Sequence, residues 1–254
     1  MTPAFVLERA TVRRGRALVL RDVSVQARAG ELLGVIGANG AGKTTLLRAA
    51  LGLARLEQGR AVLGGRDVKT LSDPQRAALA AYLPQERRIG WNLPAWRVAS
   101  LGAAHLPPKA AQDRAYQALA RVGLAALAQR GVLDMSGGER GRVLLARLLA
   151  AHAPLLMADE PGAGLDPDAQ LLALELLRAE AQRGAAVVLT LHDLSLAARG
   201  CDRLVVLHEG RVIADAAPRE ALTPAVLAQA FGLDGRLEET GAGLVVAAKR
   251  RVLD

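Results

Sequence analysis

Gly37-Ala38-Asn39-Gly40-Ala41-Gly42-Lys43-Thr44 fits the pattern G-x-x-x-x-G-K-[ST]. Glu31-Leu32-Leu33-Gly34-Val35-Ile36, apolar after its first residue, precedes it and reads as a buried strand. The residues after it read as a helix from Lys43 that stops near Gly52. Strand, Gly-rich loop and helix in that order form a phosphate cradle. Gly37, Gly40 and Gly42 let the backbone wrap an anion with several N–H groups pointing inward. The helix adds its positive end to the same anion. Lys43 reaches the β- and γ-phosphates of a nucleotide, and the Thr44 hydroxyl is a Mg²⁺ ligand. Taken alone, the loop does not separate a kinase from a GTPase or a transport ATPase.

Outward from the loop, short strands are expected at 5–7, 19–20 and 23–25, and another at 61–63 before the Gly64-Gly65 turn. Ser72 and Gln75 have capping-box spacing, with Pro74 in the first helical turn. From about residue 86 to 135 the chain becomes Ala- and Leu-rich with helical spacing, placing Leu119, Val122, Ala126 and Leu127 on one face. This segment reads as a small helical subdomain inserted into the main body. Alternation then resumes: a helix over 139–151, the strand 155–158, a helix over 168–183 behind Asp166-Pro167, and the strand 185–191. Strands separated by crossover helices predict an α/β fold with a mostly parallel sheet covered on both faces. The whole of 1–254 reads as one domain, with about 235–254 as a short C-terminal extension.

Three further clusters carry chemistry. Leu155-Leu156-Met157-Ala158 ends in Asp159-Glu160. An Asp at such a strand end holds Mg²⁺ in P-loop enzymes, and Glu160 is placed to polarise an attacking water. Ser136-Gly137-Gly138-Glu139 reads in isolation as a helix cap, but its place between Gln85 and Asp159 favours a second phosphate site. One chain with two phosphate-binding turns has only one P-loop. His192 follows a buried strand and precedes Asp193, a helix N-cap; its own residue context favours a structural role. His105, His152 and His208 carry no signal beyond surface or core histidines. No Cys/His cluster has metal-ligand spacing, and no nucleophile elbow is present.

Composition narrows the class. Apolar residues are 51 % of 254 and aromatics only 2 %, so a core of ample size is built mainly from Ala, Val and Leu. The single Cys201 allows no internal disulfide and suits a reducing compartment. The N-terminal residues lack a secretory pattern, and no apolar run approaches the roughly 20 residues that span a bilayer. A soluble cytoplasmic protein is expected. The net charge of +8 rests on scattered arginines, with lysine only at 43, 69, 109 and 249. That scatter fits a solvated surface and a GC-rich coding sequence better than a nucleic-acid face.

Together, the loop from Gly37 to Thr45, Gln85, Ser136-Gly137-Gly138-Glu139, Asp159-Glu160, Asp166 and His192 resemble the ATP-binding cassette family over nearly the whole chain. The resemblance implies a P-loop core with an antiparallel β subdomain beside the inserted helical one. It implies that residues 37–45 form the Walker A loop and that Gln85 contacts Mg²⁺ and senses a transmembrane partner. Ser136, Gly137 and Gly138 would close over ATP held by a second copy of the chain. Asp159 would be the Walker B aspartate and Glu160 the general base. Asp166 would lie in a loop crossing the dimer interface, and His192 would touch the γ-phosphate. The implied assembly is a head-to-tail dimer sandwiching two ATP molecules, with Mg²⁺ at each. Three positions depart from the family pattern: Arg14 at the place of an adenine-stacking aromatic, Met135 where leucine is commoner, and Gly162 where threonine commonly follows the Glu-Pro pair. Arginine can itself stack on a base through its planar guanidinium.

Tyr82-Leu83-Pro84-Gln85, Ala95-Trp96-Arg97-Val98, Leu101-Gly102 and the run from Leu191 to Ala198 look like the ATPase subunits of bacterial importers for ferric siderophores, haem and vitamin B12, with Ala103 in place of the usual arginine. Such subunits lie on the cytoplasmic face of the membrane under multi-spanning permeases, which receive solute from a periplasmic or surface binding protein. No nucleic acid is expected as a partner. Two other assignments stay open: an importer for another solute such as zinc, manganese or a polar amino acid, and a soluble cassette protein of iron–sulfur assembly, translation or DNA repair. The translation type usually carries two cassettes in one chain. The chromosome-maintenance type carries a long coiled coil between the residues equivalent to Lys43 and Ser136; no heptads occur here.

Overall fold

The structure, a computed structural model, describes residues 3–86, 89–241 and 243–250. Along the chain run β1 (Phe5–Arg14), β2 (Ala17–Ala27), β3 (Leu32–Gly37), α1 (Lys43–Ala50), β4 (Gln58–Leu63), β5 (Arg66–Asp67), α2 (Asp73–Leu79) and β6 (Ala80–Leu83). Then come α3 (Ala95–Ser100), α4 (Pro108–Arg121), α5 (Gly137–Ala150), β7 (Leu155–Ala158), α6 (Pro167–Gln182), β8 (Ala186–Thr190) and α7 (Leu194–Gly200). The chain closes with β9 (Arg203–His208), β10 (Arg211–Ala216), α8 (Pro218–Ala221), α9 (Pro224–Phe231), β11 (Leu233–Thr240) and β12 (Gly243–Arg250).

Six strands form the central sheet in the order β10-β9-β3-β8-β7-β6. All its pairings are parallel except the β9–β10 hairpin, whose turn uses Glu209 and Gly210, both at positive φ. All six residues of β3 are buried, as a central strand covered on both faces requires. Strand periodicity divides its side chains between two cores. Leu32 and Ile36 join Leu156, Val187 and Leu189 on the face covered by α5, α6 and the helical insertion. Leu33 and Val35 join Leu155, Met157 and Val188 on the face covered by α1 and a second, antiparallel sheet, β2-β1-β4-β5. Each leucine so buried contributes about 1.5–3 kcal/mol. Arg203 ties the two sheets: it pairs with Glu31 (2.7 Å) and Asp215 (2.5 Å) and donates to the Gln26 carbonyl of β2 (2.6 Å).

The expected strands at 19–20 and 23–25 are parts of one strand, β2, paired along β1. Arg9 and Asp22 sit at φ 48° and 54°, and the register shifts beside them, so a bulged ladder continues where the sequence reads as interrupted. The segment at about 86–135 contains α3 and α4, and of its expected face Leu119 and Val122 are buried and Leu127 packs against the same cluster, whereas Ala126 does not. Helix α4 ends at Arg121 and Gly123 turns the chain at φ 72°. Ala126 is therefore exposed, and Leu124 and Ala128 are buried with Leu119 and Val122 instead. The insertion's apolar residues belong to the same buried cluster as one sheet face. Trp96 stacks on Tyr116 at 6.1 Å, and Gln129 bonds to both. Arg121 of α4 and Arg183 flank the buried Glu180 of α6, each at 2.6 Å, which neutralises a carboxylate that burial would otherwise penalise.

The expected extension at 235–254 is, over its described residues, the hairpin of β11 and β12. Ser195 of α7 accepts a hydrogen bond from the Val246 N–H (3.0 Å), joining the hairpin to the body. Expectations that touch residues 1–2, 87–88, 242 and 251–254 lie outside the described residues. Among the described residues no helix is long and apolar enough to cross a membrane.

Candidate active site

The C-terminal end of β3 delivers the chain into the glycine loop, as the crevice at a sheet's carboxyl edge requires. Gly37 cannot be replaced by a larger residue without rearrangement: a Cβ there would lie 2.4 Å from the Leu207 carbonyl oxygen of the adjacent β9. Gly42, at φ 107°, is the N-cap of α1 and makes no side-chain cap, so the first N–H groups of that helix are left for another acceptor. Lys43 is 6 % exposed, and its Nζ donates to the carbonyls of Gly37 (2.8 Å) and Ala38 (3.2 Å). Burial pushes the Lys43 ammonium below its ordinary pKa, against the opposing pull of Glu160 and Asp159.

A cavity of about 520 Å³ opens over this loop. Asn39, Gly40, Ala41, Gly42, Lys43, Thr44 and Thr45 form its floor, and Arg14, Gln85, Glu160 and His192 also line it. Segments far apart in sequence thus meet around one anion-binding turn. The volume is in the range of small-molecule sites. The loop's N–H groups, a buried ammonium and the start of a helix suit a nucleotide triphosphate. Arg14, exposed at the end of β1, is the lining residue with a planar cation.

Behind this wall, β7 ends in Asp159, which is fully buried. Its Oδ1 accepts from Thr190 Oγ1 (2.7 Å) and its Oδ2 from the Tyr82 hydroxyl (3.4 Å), so neighbouring strands β8 and β6 hold the carboxylate. Burial, followed by the charge of Asp159, pushes the Tyr82 phenol well above its usual range, which keeps it a donor. Glu160 follows at φ 52°, in the left-handed region that costs a non-glycine residue about 1–2 kcal/mol. Its N–H is bonded to Thr190 Oγ1 (2.8 Å), and one carboxylate oxygen lies 2.5 Å from His192 Nε2. His192 itself stands between β8 and α7, where Asp193 caps the helix through the Leu196 N–H (2.8 Å).

The remaining candidate residues lie elsewhere. Ser136 is the N-cap of α5, exchanging hydrogen bonds with Glu139 (2.7 and 3.2 Å), so the capping box is real. The exposed Ser136 and Gly137 do not line the cavity, nor do Gly138 and Glu139. Asp166 caps α6 through the Ala169 N–H (2.8 Å) and is also outside it. Two residues that sequence reasoning missed, Tyr82 and Thr190, hold Asp159 from either side. The available signal was a polar side chain at or near the end of each strand flanking the Asp-Glu pair.

Fold and site together define a P-loop nucleotide-binding protein. A profile of the ABC transporter family matches residues 20–163. The hemin import ATP-binding protein of Pseudomonas entomophila is 42 % identical over 232 residues, 88 % of this chain and 90 % of that one. The cobalamin import ATP-binding protein of Halobacterium salinarum is 43 % identical over 218 residues, 84 % of this chain and 55 % of that one. Among solved structures, an ATP-binding subunit of an ABC transporter shares a TM-score of 0.77 at 28 % identity, covering 85 % of this chain and 90 % of that one. A chain of a metal-chelate type ABC transporter in an inward-facing conformation reaches 0.82 over 98 % of this chain and 97 % of that one; at 24 % identity this speaks for the fold alone. The chain belongs to the ABC transporter family, as one of its ATP-binding ATPase subunits.

Proposed function

We propose that the chain hydrolyses ATP to drive a membrane importer for haem, cobalamin or ferric siderophore. The observation that carries this reading is the division of phosphate-binding elements. Lys43, Thr44, Gln85, Glu160 and His192 share one cavity, whereas Ser136, Gly137 and Gly138 present a helix start outside it. A second copy packed head to tail supplies its Ser136-Gly137-Gly138 turn to the ATP held over Lys43, and Asp166 lies where the copies cross. Lys43 and the first turn of α1 bind the β- and γ-phosphates. Thr44, Asp159 and Gln85 fit a Mg²⁺ ion, directly or through water, because they offer the oxygen donors this ion prefers. When bound, Mg²⁺ neutralises charge that develops on the phosphates. Glu160 takes the proton of the attacking water, and His192, 2.5 Å from it, orients that carboxylate.

The described parts of about 86–135 act as the helical arm that meets a multi-spanning permease, with Gln85 at the hinge between arm and nucleotide. The chain works on the cytoplasmic face of the membrane of a bacterium, and a periplasmic or surface protein delivers the solute. The hemin and cobalamin import relatives support this class of solute. Arg14 stacks on the adenine ring. Replacing Arg14 by Ala should raise KM for ATP several-fold, by about the 0.5–2 kcal/mol of a cation–π contact, with kcat unchanged. Steady-state kinetics checks this, and an unaltered KM would remove Arg14 from the adenine site. Co-expressed with its permease, the chain should co-purify with it in detergent. Elution instead with a soluble scaffold or with nucleic acid would contradict the transport assignment.

A further inference from the structure

We propose that Thr190 is a positioning residue of the hydrolytic site, its hydroxyl locking the carboxylate of Asp159 to the backbone of Glu160. This rests on the reading of Asp159 and Glu160 as the metal-holding and proton-accepting groups. Thr190 is the last residue of β8, fully buried, and β8 runs parallel to β7 with Leu189 opposite Ala158. The next residue of each strand direction therefore brings Thr190 beside Asp159. A hydroxyl has one proton and two lone pairs. Here the proton goes to Asp159 Oδ1 at 2.7 Å and a lone pair takes the Glu160 N–H at 2.8 Å. The same oxygen thus fixes two consecutive residues with different tasks.

Packing alone does not explain the residue. The four residues of β8 before it are Ala186, Val187, Val188 and Leu189, all apolar and buried, and valine would fill the threonine's volume. Valine would leave a buried carboxylate oxygen and a part-buried N–H without this partner. Glu160 sits in the left-handed backbone region, where a bond to its N–H selects the direction its side chain leaves the strand. Tyr82 steadies the other oxygen of Asp159 at 3.4 Å, too long to hold the carboxylate by itself. Loss of the Thr190 hydroxyl would let the carboxylate turn away from the metal and move Glu160 with it.

The test compares Thr190→Val, Thr190→Ala and Thr190→Ser in the full chain. Three readouts are taken: ATP turnover against Mg²⁺ concentration, binding of a fluorescent ATP analogue in EDTA, and thermal unfolding. Thr190→Val should lower kcat roughly ten-fold and raise the Mg²⁺ needed for half-maximal rate several-fold, the scale of a lost hydrogen bond to a buried charge. Binding in EDTA should stay within about two-fold, because Lys43 and the loop are untouched. Thr190→Ser, which keeps the oxygen, should restore both the rate and the Mg²⁺ requirement. If Thr190→Val does not fold, Thr190→Ala against Thr190→Ser decides the same point. The proposal is overturned if the hydroxyl-free variants match the wild type, if Thr190→Ser falls as far as they do, or if binding in EDTA falls in step with rate. A wild-type chain without Mg²⁺-dependent hydrolysis would instead overturn the reading on which the proposal rests.

Discussion

Replacing Glu160 by glutamine is expected to abolish turnover while ATP binding persists. The amide has the shape of the carboxylate and can still meet His192 Nε2, which lies 2.5 Å from the native oxygen. The backbone at φ 52° and its N–H bond to Thr190 do not depend on the side-chain charge. Only the capacity to accept a proton from water is lost. A positioned general base contributes about 10²–10⁴-fold, so phosphate release should fall by at least 100-fold. Because the phosphate loop is intact, titration with a fluorescent nucleotide should give affinity within about two-fold of the wild type. With hydrolysis stopped, the ATP-bound dimer should accumulate and be seen by size-exclusion chromatography with light scattering. Undiminished phosphate release would assign the base elsewhere.

Replacing Lys43 by alanine should have the opposite signature, loss of binding itself. Lys43 is 6 % exposed in the first turn of α1, and its Nζ bonds two loop carbonyls, so it orders the loop as well as carrying charge. Burial already lowers its pKa, and a phosphate beside it would favour the charged form. Hydrogen bonds to charged groups are worth about 1.5–3 kcal/mol each. Losing those to two phosphates should weaken nucleotide binding by about 10²–10⁴-fold. Equilibrium titration checks this, and an affinity within about three-fold of wild type would mean that the loop does not hold the phosphates.

Much of the site is legible because its chemistry is local. The turn before α1, the Asp166 cap and the Asp193 cap each depend on residues within a few positions and form as read, and Ser136–Glu139 forms the helix cap that it reads as in isolation. The continuation of β2 through Asp22 is not legible, since a positive φ at an ordinary residue leaves no composition signal. Nor is the break after α4 that exposes Ala126, because the helical period runs on through Gly123. The C-terminal hairpin is stabilised by contact with α7 and α9 rather than by a turn signature alone. The grip of Thr190 and Tyr82 on Asp159 joins positions 31 and 77 residues apart, which only the parallel strand order brings together. Arg14 lines the cavity wall, which its place at the end of β1 brings about.

The central claim is that the Gly37–Thr45 loop is half of a shared ATP site that powers import. The most direct measurement is uptake into proteoliposomes holding the chain and its permease, with ATP inside and haem, ferric siderophore and cobalamin offered in parallel. The account predicts ATP-dependent uptake of one of the three, abolished by Glu160→Gln. ATP hydrolysis with no uptake of any of them, or uptake that survives Glu160→Gln, would contradict it.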